Sequence, residues 1–292
     1  MKPIKYIIIT LLVIIYAFSC DNEDSTSSTN SNTTNPLDPT EYYQELNVPY
    51  GNHDRQKYDI YLPANRNSQT KFIILIHGGG WTSGNKSDMN GFRDFLRSEL
   101  PNIGIVNMNY RLADNNNQAY PMQINDITAV VNHLKDNEDF YVIDDEFGFV
   151  GVSAGGHLSL LWSYAFDLNS NTKMACSIVG PTNFTDPAYL NNNNPNLDIL
   201  LALYGVDATT EFLEEVSPYH QATNTSPPTI LFYGGQDPLV PTSQGLDMRD
   251  KLNDLGVLNE FTLYPNAGHG WIGLDLLDTS IKLKAFIETH LN

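Results

Sequence analysis

Short apolar segments recur along most of this 292-residue chain and are separated by longer stretches with helical patterns. Several of the apolar segments are continuous, which is typical of strands covered on both faces of a sheet. Strands are predicted at Arg55–Leu62, Phe72–Ile76, Ile103–Met108, Phe147–Val152, Ala175–Val179, Thr229–Tyr233 and Glu260–Tyr264. Helices are predicted between them, at Ser87–Leu100, Met122–Asp136, Ala154–Phe166, Thr242–Leu255 and Leu276–His290. This alternation predicts an α/β protein with a mostly parallel central sheet and helices on both faces.

A glycine-rich turn connects the predicted strand Phe147–Val152 to the helix that follows it. The turn carries the pentapeptide GVSAG, in which Gly151 and Gly155 flank Ser153. Glycines suit a turn too tight for side chains, and the serine hydroxyl is then exposed at the carboxyl edge of the sheet. The motif alone also fits a turn that does no chemistry. Because functional loops gather at this edge, we expect any partners of Ser153 at the ends of other strands.

A histidine and an aspartate follow two later predicted strands. Serine is a weak nucleophile, so an imidazole must take its proton and a carboxylate must orient that imidazole. His269 follows the last predicted strand, and Asp237 follows Thr229–Tyr233. His157 lies in the helix behind the serine and is expected to pack rather than react. We therefore predict Ser153, Asp237 and His269 as the catalytic residues, with His269 as the base.

A second glycine motif, HGGGW at residues 77–81, directly follows the strand Phe72–Ile76. Attack on an acyl carbonyl creates an oxyanion that needs preorganised N–H donors. Consecutive glycines let the backbone approach such an oxygen without obstruction by Cβ atoms. The N–H groups of Gly79, Gly80 and Ala154 are the predicted oxyanion donors. Aromatic residues near these loops are weaker candidates for stacking on a sugar or an aromatic acid, namely Trp81, Tyr110 and Trp271.

Together, the motifs HGGGW, GVSAGGH, DPLVP and AGHGW resemble the HGGG-type bacterial carboxylesterases of the α/β-hydrolase superfamily. That group includes acetyl and feruloyl esterases that act on plant polysaccharides. The resemblance covers roughly residues 45–292 and includes YDIYLP at residues 58–63. It implies the α/β-hydrolase fold, the serine, aspartate and histidine triad, and hydrolysis of acyl esters. Val152 stands where the hormone-sensitive-lipase-like branch usually has aspartate, which favours the polysaccharide-esterase branch.

The first 40 residues predict export followed by a tether. Lys2 and Lys5 precede the apolar stretch Ile7–Phe18, and the small residue Ser19 stands before Cys20. This is the pattern of a secretory signal, and a cysteine directly after it resembles a bacterial lipoprotein cleavage site. An ordinary secretory signal is the alternative. The predicted organisation is a signal peptide at 1–19, an acylated Cys20 with a flexible linker through residue 40, and a catalytic domain at 41–292.

The acidic cluster at residues 21–24 resembles the surface-export signal of Bacteroidetes-type lipoproteins. It predicts an outer-membrane lipoprotein in the bacterial cell envelope, facing the periplasm or the cell surface. The net charge of −18, or −20 once Lys2 and Lys5 are removed with the signal, makes nucleic acid and anionic membrane surfaces poor partners. Membrane contact is expected through the lipid anchor only.

Only two cysteines occur, Cys20 and Cys176, and the second lies in an apolar run where a buried strand residue is expected. The sequence contains no CxxC or HExxH spacing. Neither a metal nor another cofactor is expected.

The predicted function is a serine esterase that works through an acyl-enzyme and deacylates acetylated or feruloylated plant glycans. An aryl-formamide hydrolase shares a related oxyanion loop and remains an alternative, as does a general short-chain carboxylesterase. A peptidase of the prolyl-oligopeptidase type would need several upstream propeller blades of about 40 residues each, which the chain does not contain. A non-catalytic glycan-binding module is disfavoured, because it need not keep a complete triad.

Overall fold

An eight-stranded sheet lies at the centre of the part of the chain that the structure describes. The structure is a computed structural model, which describes residues 35–191, 198, 201–202, 204 and 209–291. The strand order is β1-β2-β4-β3-β5-β6-β7-β8. Strand β2 is antiparallel to both of its neighbours, β1 and β4. The other neighbouring strands in this order, from β4 through β3 to β8, pair in parallel. The strands are β1 (Tyr43–Pro49), β2 (Lys57–Leu62), β3 (Phe72–Ile76), β4 (Gly104–Met108), β5 (Phe147–Val152), β6 (Thr172–Ile178), β7 (Thr229–Gly234) and β8 (Asn259–Tyr264).

Helices connect these strands and cover both faces of the sheet. Five of them are long: α1 (Asn90–Glu99), α2 (Met122–Asp136), α4 (Ala154–Ala165), α8 (Thr242–Asp254) and α9 (Leu274–His290). The shorter ones are α3 (Glu138–Tyr141), α5 (Pro187–Leu190), α6 (Thr210–Glu215) and α7 (Pro218–Gln221), and a 3₁₀ turn at Lys86–Met89 leads into α1.

Strand β3 shows how the two layers of helices attach to the sheet, because its five residues are all buried and alternate between the faces. Phe72, Ile74 and Ile76 join an apolar cluster that includes the buried residues of α2 and α4. Ile73 and Leu75 join a second cluster with buried residues of α1 and α9. Burial on both faces explains why this strand is continuously apolar in sequence.

Each predicted strand and long helix is present, with bounds within three residues of those predicted. The mostly parallel α/β sheet with helices on both faces is therefore confirmed. Strand β1 was not predicted, because most of its residues are exposed at the sheet edge and its register shifts between Glu45 and Val48. Cys176 lies buried in β6, as expected.

The described residues from 35 onward form one compact unit. Leu37 N–H donates to the carbonyl of Phe140 at 2.9 Å, and Arg66 N–H donates to the carbonyl of Pro39 at 3.1 Å. The end of the predicted linker, which was placed at residue 40, is thus already part of this unit. The predicted signal peptide, Cys20 and the linker through residue 34 lie outside the described residues. Among the helices that are described, none has both the length and the apolar character needed to cross a membrane.

Candidate active site

Ser153 occupies a strained turn between β5 and α4. Its backbone has φ 54° and ψ −121°, a left-handed φ that is uncommon for a residue with a side chain. Its N–H donates to the carbonyl of Ile178 at 2.7 Å, which holds the turn against β6. A Cβ on Gly151 would lie 2.2 Å from the carbonyl oxygen of Gly155, and a Cβ on Gly155 would lie 2.1 Å from that of Ile76. The turn therefore requires glycine at both flanking positions.

A continuous chain of hydrogen bonds links Ser153, His269 and Asp237. The Oγ of Ser153 lies 2.8 Å from Nε2 of His269, and Nδ1 of His269 lies 2.7 Å from Oδ2 of Asp237. The Asp237 side chain is 1% exposed, whereas that of His269 is 24% exposed. With Nδ1–H donating to the carboxylate, Nε2 is the acceptor that faces the serine hydroxyl. The structure thus brings together the three residues predicted as catalytic.

The loops after β7 and β8 hold the acid and the histidine in place. The second carboxylate oxygen of Asp237, Oδ1, accepts hydrogen bonds from the N–H groups of Leu239 at 2.8 Å and Val240 at 3.0 Å. Gly234 lies so close to the histidine loop that a Cβ there would stand 2.1 Å from the carbonyl oxygen of Gly268. All three side chains lie at the carboxyl ends of parallel strands, where functional loops of such sheets gather.

The glycine loop after β3 lies directly against the serine turn. A Cβ on Gly78 would stand 3.1 Å from Cβ of Ser153, and one on Gly79 would stand 2.2 Å from the carbonyl oxygen of Ser83. Gly79 and Gly80 both have positive φ, 113° and 55°. Within the described residues, the N–H groups of Gly79, Gly80 and Ala154 donate to no protein acceptor. These three predicted donors line one cavity together with the serine and the histidine.

Trp81 ends the glycine loop and is 3% exposed. Its indole N–H donates to Nδ1 of His157 at 3.3 Å, and its ring packs 4.7 Å from that of Tyr204. His157 is fully buried and therefore packs behind the nucleophile, as expected. Trp81 is also among the residues that line the cavity.

The two other aromatic candidates for substrate contact do not line the cavity. Tyr110 is fully buried behind the glycine loop, where its hydroxyl donates to the carbonyl of His77 at 2.9 Å. The structure does not place the ring of Tyr110 at the cavity, so its stacking on a substrate stays a prediction without structural support. The indole of Trp271 turns toward helix α9, where it packs on Tyr264 and donates to Thr279 at 2.8 Å.

The cavity in front of Ser153 has a volume of about 560 Å³ and mostly apolar walls. Among its described lining residues only Asp88 is charged, and it is exposed. Several wall residues were not identified from the sequence, since they come from elements distant along the chain: Met89, Phe92, Phe184, Tyr189, Leu239 and Val240. The position of Met89 and Phe92 in the segment that follows the HGGGW motif was the one signal that could have indicated them. Within the described ranges, no group of three or more His, Cys, Asp or Glu side chains could hold a metal ion.

Two other histidines near the loop are fully buried and remain neutral. His77 stacks on Tyr110 with ring centroids 4.2 Å apart, and its Nδ1 donates to the carbonyl of Gly78 at 2.6 Å. The Nε2 of His157 donates to the carbonyl of Val216 at 2.8 Å. Burial lowers the pKa of each imidazole to about 4.

We expect the folded protein to lose stability as the pH falls from about 7.5 to about 5.5. In this window the unfolded chain protonates both imidazoles, whose ordinary pKa is 6.5, whereas the folded protein keeps them neutral. The unfolded state then binds more protons, so the free energy of unfolding falls by about 1 kcal/mol per histidine at about pH 5.5. Urea unfolding at the two pH values measures the loss, which His157→Gln should reduce. Equal free energies of unfolding at both values would contradict the neutral burial of these groups.

Known proteins resemble this chain over most of its length. The BD-FAE family model matches residues 58–252. Esterase LipC of Mycobacterium tuberculosis is 24% identical over an alignment of 264 residues, which covers 81% of this chain and 61% of LipC. The chain thus spans between 53% and 61% of the length of the first curated relatives that it matches.

Solved structures share the fold. A truncated form of a carbohydrate esterase from gut microbiota superposes with a TM-score of 0.68 and 22% identity, covering 86% of this chain and all (100%) of that one. An acetyl ester-xyloside bifunctional hydrolase from Caldicellulosiruptor lactoaceticus has a TM-score of 0.68 and 18% identity, covering 88% of this chain and 98% of that one. The fold is that of the α/β-hydrolase esterases. Since the family model covers more than half of the sequence, the chain belongs to the BD-FAE family.

Proposed function

We propose that the protein is a serine carboxylic-ester hydrolase that works through an acyl-enzyme. The observation that carries this proposal is the hydrogen-bonded chain from Asp237 through His269 to Ser153, which ends at a cavity beside unpaired backbone donors. A nucleophile, a base in the correct tautomer, an orienting carboxylate and oxyanion donors are together the requirements of acyl transfer.

In the proposed reaction, Ser153 Oγ attacks the ester carbonyl carbon while Nε2 of His269 takes the hydroxyl proton. The carbonyl electron pair moves onto oxygen, and the resulting oxyanion accepts hydrogen bonds from Gly79, Gly80 and Ala154. Each such donor contributes about 3 kcal/mol to lowering the barrier. When the intermediate collapses, the C–O bond to the alcohol breaks and His269 donates its proton to the departing oxygen. Water then attacks the acyl-enzyme by the same steps and releases the acid.

The proposed substrates are acetyl or feruloyl esters of plant polysaccharides or oligosaccharides. The volume and apolar walls of the cavity support an acyl group that can be aromatic, since rings such as those of Phe92 and Phe184 bury aromatic surface favourably. The names of the similar solved structures, a carbohydrate esterase and an acetyl ester-xyloside hydrolase, support a glycan as the alcohol component. A fold by itself does not determine a substrate, so this step rests on the site and the likeness together.

A panel of substrates tests this specificity. Acetate and ferulate release from xylan would be measured beside the hydrolysis of short-chain and long-chain nitrophenyl esters and of an aryl formamide. We expect release from the glycan by the wild-type protein and none by Ser153→Ala, which serves as the control for background hydrolysis. Efficient cleavage of the formamide or of long-chain esters, without release from any polysaccharide, would contradict the glycan substrate. The proposal of a serine hydrolase would then stand without that substrate.

We also propose that the protein is a lipoprotein of the bacterial cell envelope, anchored through an acylated Cys20. The sequence pattern of residues 1–24 supports this location, which suits an enzyme acting on polymers that cannot enter the cell. Metabolic labelling with an alkyne fatty acid tests the anchor, because Cys20→Ser should abolish the label.

A further inference from the structure

Gln123 lies near the start of helix α2 and is fully buried. Its Nε2 donates to the carbonyl of Trp81 at 2.7 Å and to the carbonyl of Arg111 at 2.8 Å. Both acceptors are carbonyl oxygens, so the amide nitrogen, and not the amide oxygen, must face them. The side chain therefore joins the loop after β3 to the loop after β4 through the two hydrogens of one NH₂ group.

The position of Gln123 is itself well determined. One turn farther along α2, the fully buried carboxylate of Asp126 accepts from the backbone N–H of Arg111 at 2.7 Å and from its guanidinium at 2.6 Å. Charge-assisted pairs of this kind are short and directional. The first turns of α2 thus form a rigid support on which the loop after β4 is fixed.

The loop that Gln123 contacts needs such a support. Gly79 and Gly80 have no side chains and both have positive φ, so the direction of their N–H groups depends on how the residues around them are held. The turn carbonyl of Gly79 accepts from Thr82 N–H at 3.1 Å and Ser83 N–H at 3.0 Å, which makes residues 79–83 a single unit. The orientation of that unit depends on where Trp81 is held.

Trp81 is held in a conformation that it would not adopt freely. Its φ of 63° is an outlier for a bulky residue, and such backbone persists only where the surroundings impose it. Its carbonyl accepts from Gln123 and, at 3.0 Å, from the N–H of Ala113. Its indole is fixed separately by His157. Gln123 supplies the only side-chain hydrogen bond to the backbone of Trp81 among the described residues.

The hydrogen bonds of Gln123 are made by its amide nitrogen. Its amide oxygen is buried and has no protein hydrogen-bond partner among the described residues. The two donors of the NH₂ group are therefore what the side chain contributes to the two loops.

We propose that Gln123 is a positioning residue for ester hydrolysis, which fixes Trp81 and thereby directs the N–H groups of Gly79 and Gly80 toward the oxyanion. This inference rests on the proposed function, because it assigns Gln123 a role in stabilising the transition state of that reaction. Gln123 touches neither the substrate nor Ser153, so its effect is transmitted through the backbone of the glycine loop.

Replacement by methionine tests the proposal, since Gln123→Met keeps the length of the side chain and removes both donors. We expect kcat for a nitrophenyl ester to fall about 10- to 100-fold, because small misplacements of catalytic groups cost this much, while KM changes little. Affinity for a trifluoromethyl ketone, which forms a tetrahedral adduct with the serine and places an oxyanion at the donors, should fall by a similar factor.

The matched control is Val130→Ala, a fully buried position two turns farther along the same helix. It should lower the melting temperature but leave kcat and the ketone affinity within about twofold, because it opens a cavity away from the loop. If Gln123→Met lowers only the melting temperature, Gln123 is merely structural and the inference is wrong. If Gln123→Met fails to fold, kcat, ketone affinity and melting temperature are measured on Gln123→Asn instead. This variant keeps the amide but shortens the side chain, so the same losses of kcat and ketone affinity are expected.

The two levels of the proposal can fail separately. Turnover that persists in Ser153→Ala would overturn the proposed function, and the role of Gln123 with it. Loss of turnover in Ser153→Ala, combined with unchanged kcat and ketone affinity in Gln123→Met, would overturn the positioning role alone.

Discussion

Replacing Ser153 by alanine is expected to lower kcat by about 10⁴- to 10⁶-fold. Among the described residues, its Oγ is the one hydroxyl that lies within hydrogen-bond distance of Nε2 of His269, at 2.8 Å. Without it, no covalent acyl-enzyme can form, and only the oxyanion donors and substrate binding remain to assist water. Initial rates with a nitrophenyl acetate, compared at saturating substrate, measure the loss.

Labelling with a fluorophosphonate locates the same residue independently of any substrate. The serine oxygen displaces fluoride from phosphorus, so the wild-type protein should gain one adduct, which peptide mass spectrometry should place on Ser153. The alanine variant should fold normally and gain none, because its shorter side chain removes no buried contact. A folded wild-type protein that remains unlabelled would show that the hydroxyl is not activated.

Replacing Asp237 by asparagine is expected to lower kcat by about 10⁴-fold through the tautomer of His269. Oδ1 of Asp237 accepts from the N–H groups of Leu239 and Val240, so the amide oxygen of an asparagine would take that place. Its NH₂ group would then face Nδ1 of His269, which must become an acceptor. The remaining proton would move to Nε2, where the ring could no longer accept the proton of Ser153.

The matched control is Asp254→Asn, which makes the same chemical change on an exposed position of helix α8. Its kcat should remain within about twofold of the wild-type value, because surface substitutions away from special features have small effects. If Asp237→Asn kept more than a tenth of wild-type kcat while Ser153→Ala was inactive, another group would have to orient the histidine.

The meeting of Ser153, Asp237 and His269 could be predicted from the sequence because each lies in the turn or loop after a strand that the hydrophobic pattern identifies. Ser153, Asp237 and His269 are distant along the chain, yet the topology of a parallel sheet requires their loops to meet. The glycines were predictable for a related reason, since two separate glycine motifs, HGGGW and GVSAG, directly follow two predicted strands. Local spacing and sheet topology were therefore sufficient for the reacting groups.

The cavity walls depend on packing that no local pattern encodes. Tyr110 stands at a strand end, as the proposed catalytic residues do, but its ring turns inward and stacks on His77. Phe184 reaches the cavity from a segment without regular periodicity, and its neighbours there include Trp81 and His157. Strand β1 was not predicted because most of its residues are exposed. An exposed edge strand does not need the apolar pattern by which buried strands are recognised in a sequence.

The placement of His269 makes activity a sensitive reporter of partial unfolding. His269 follows β8, the last strand of the sheet, which pairs with β7 alone. An edge strand of this kind unfolds locally at a lower free energy than an interior strand such as β5, which precedes Ser153. On heating, the base should therefore separate from the serine while most of the sheet is still folded. Thermal inactivation then measures the local unfolding of the β8 edge of the sheet, whereas circular dichroism measures the later unfolding of the interior strands and helices.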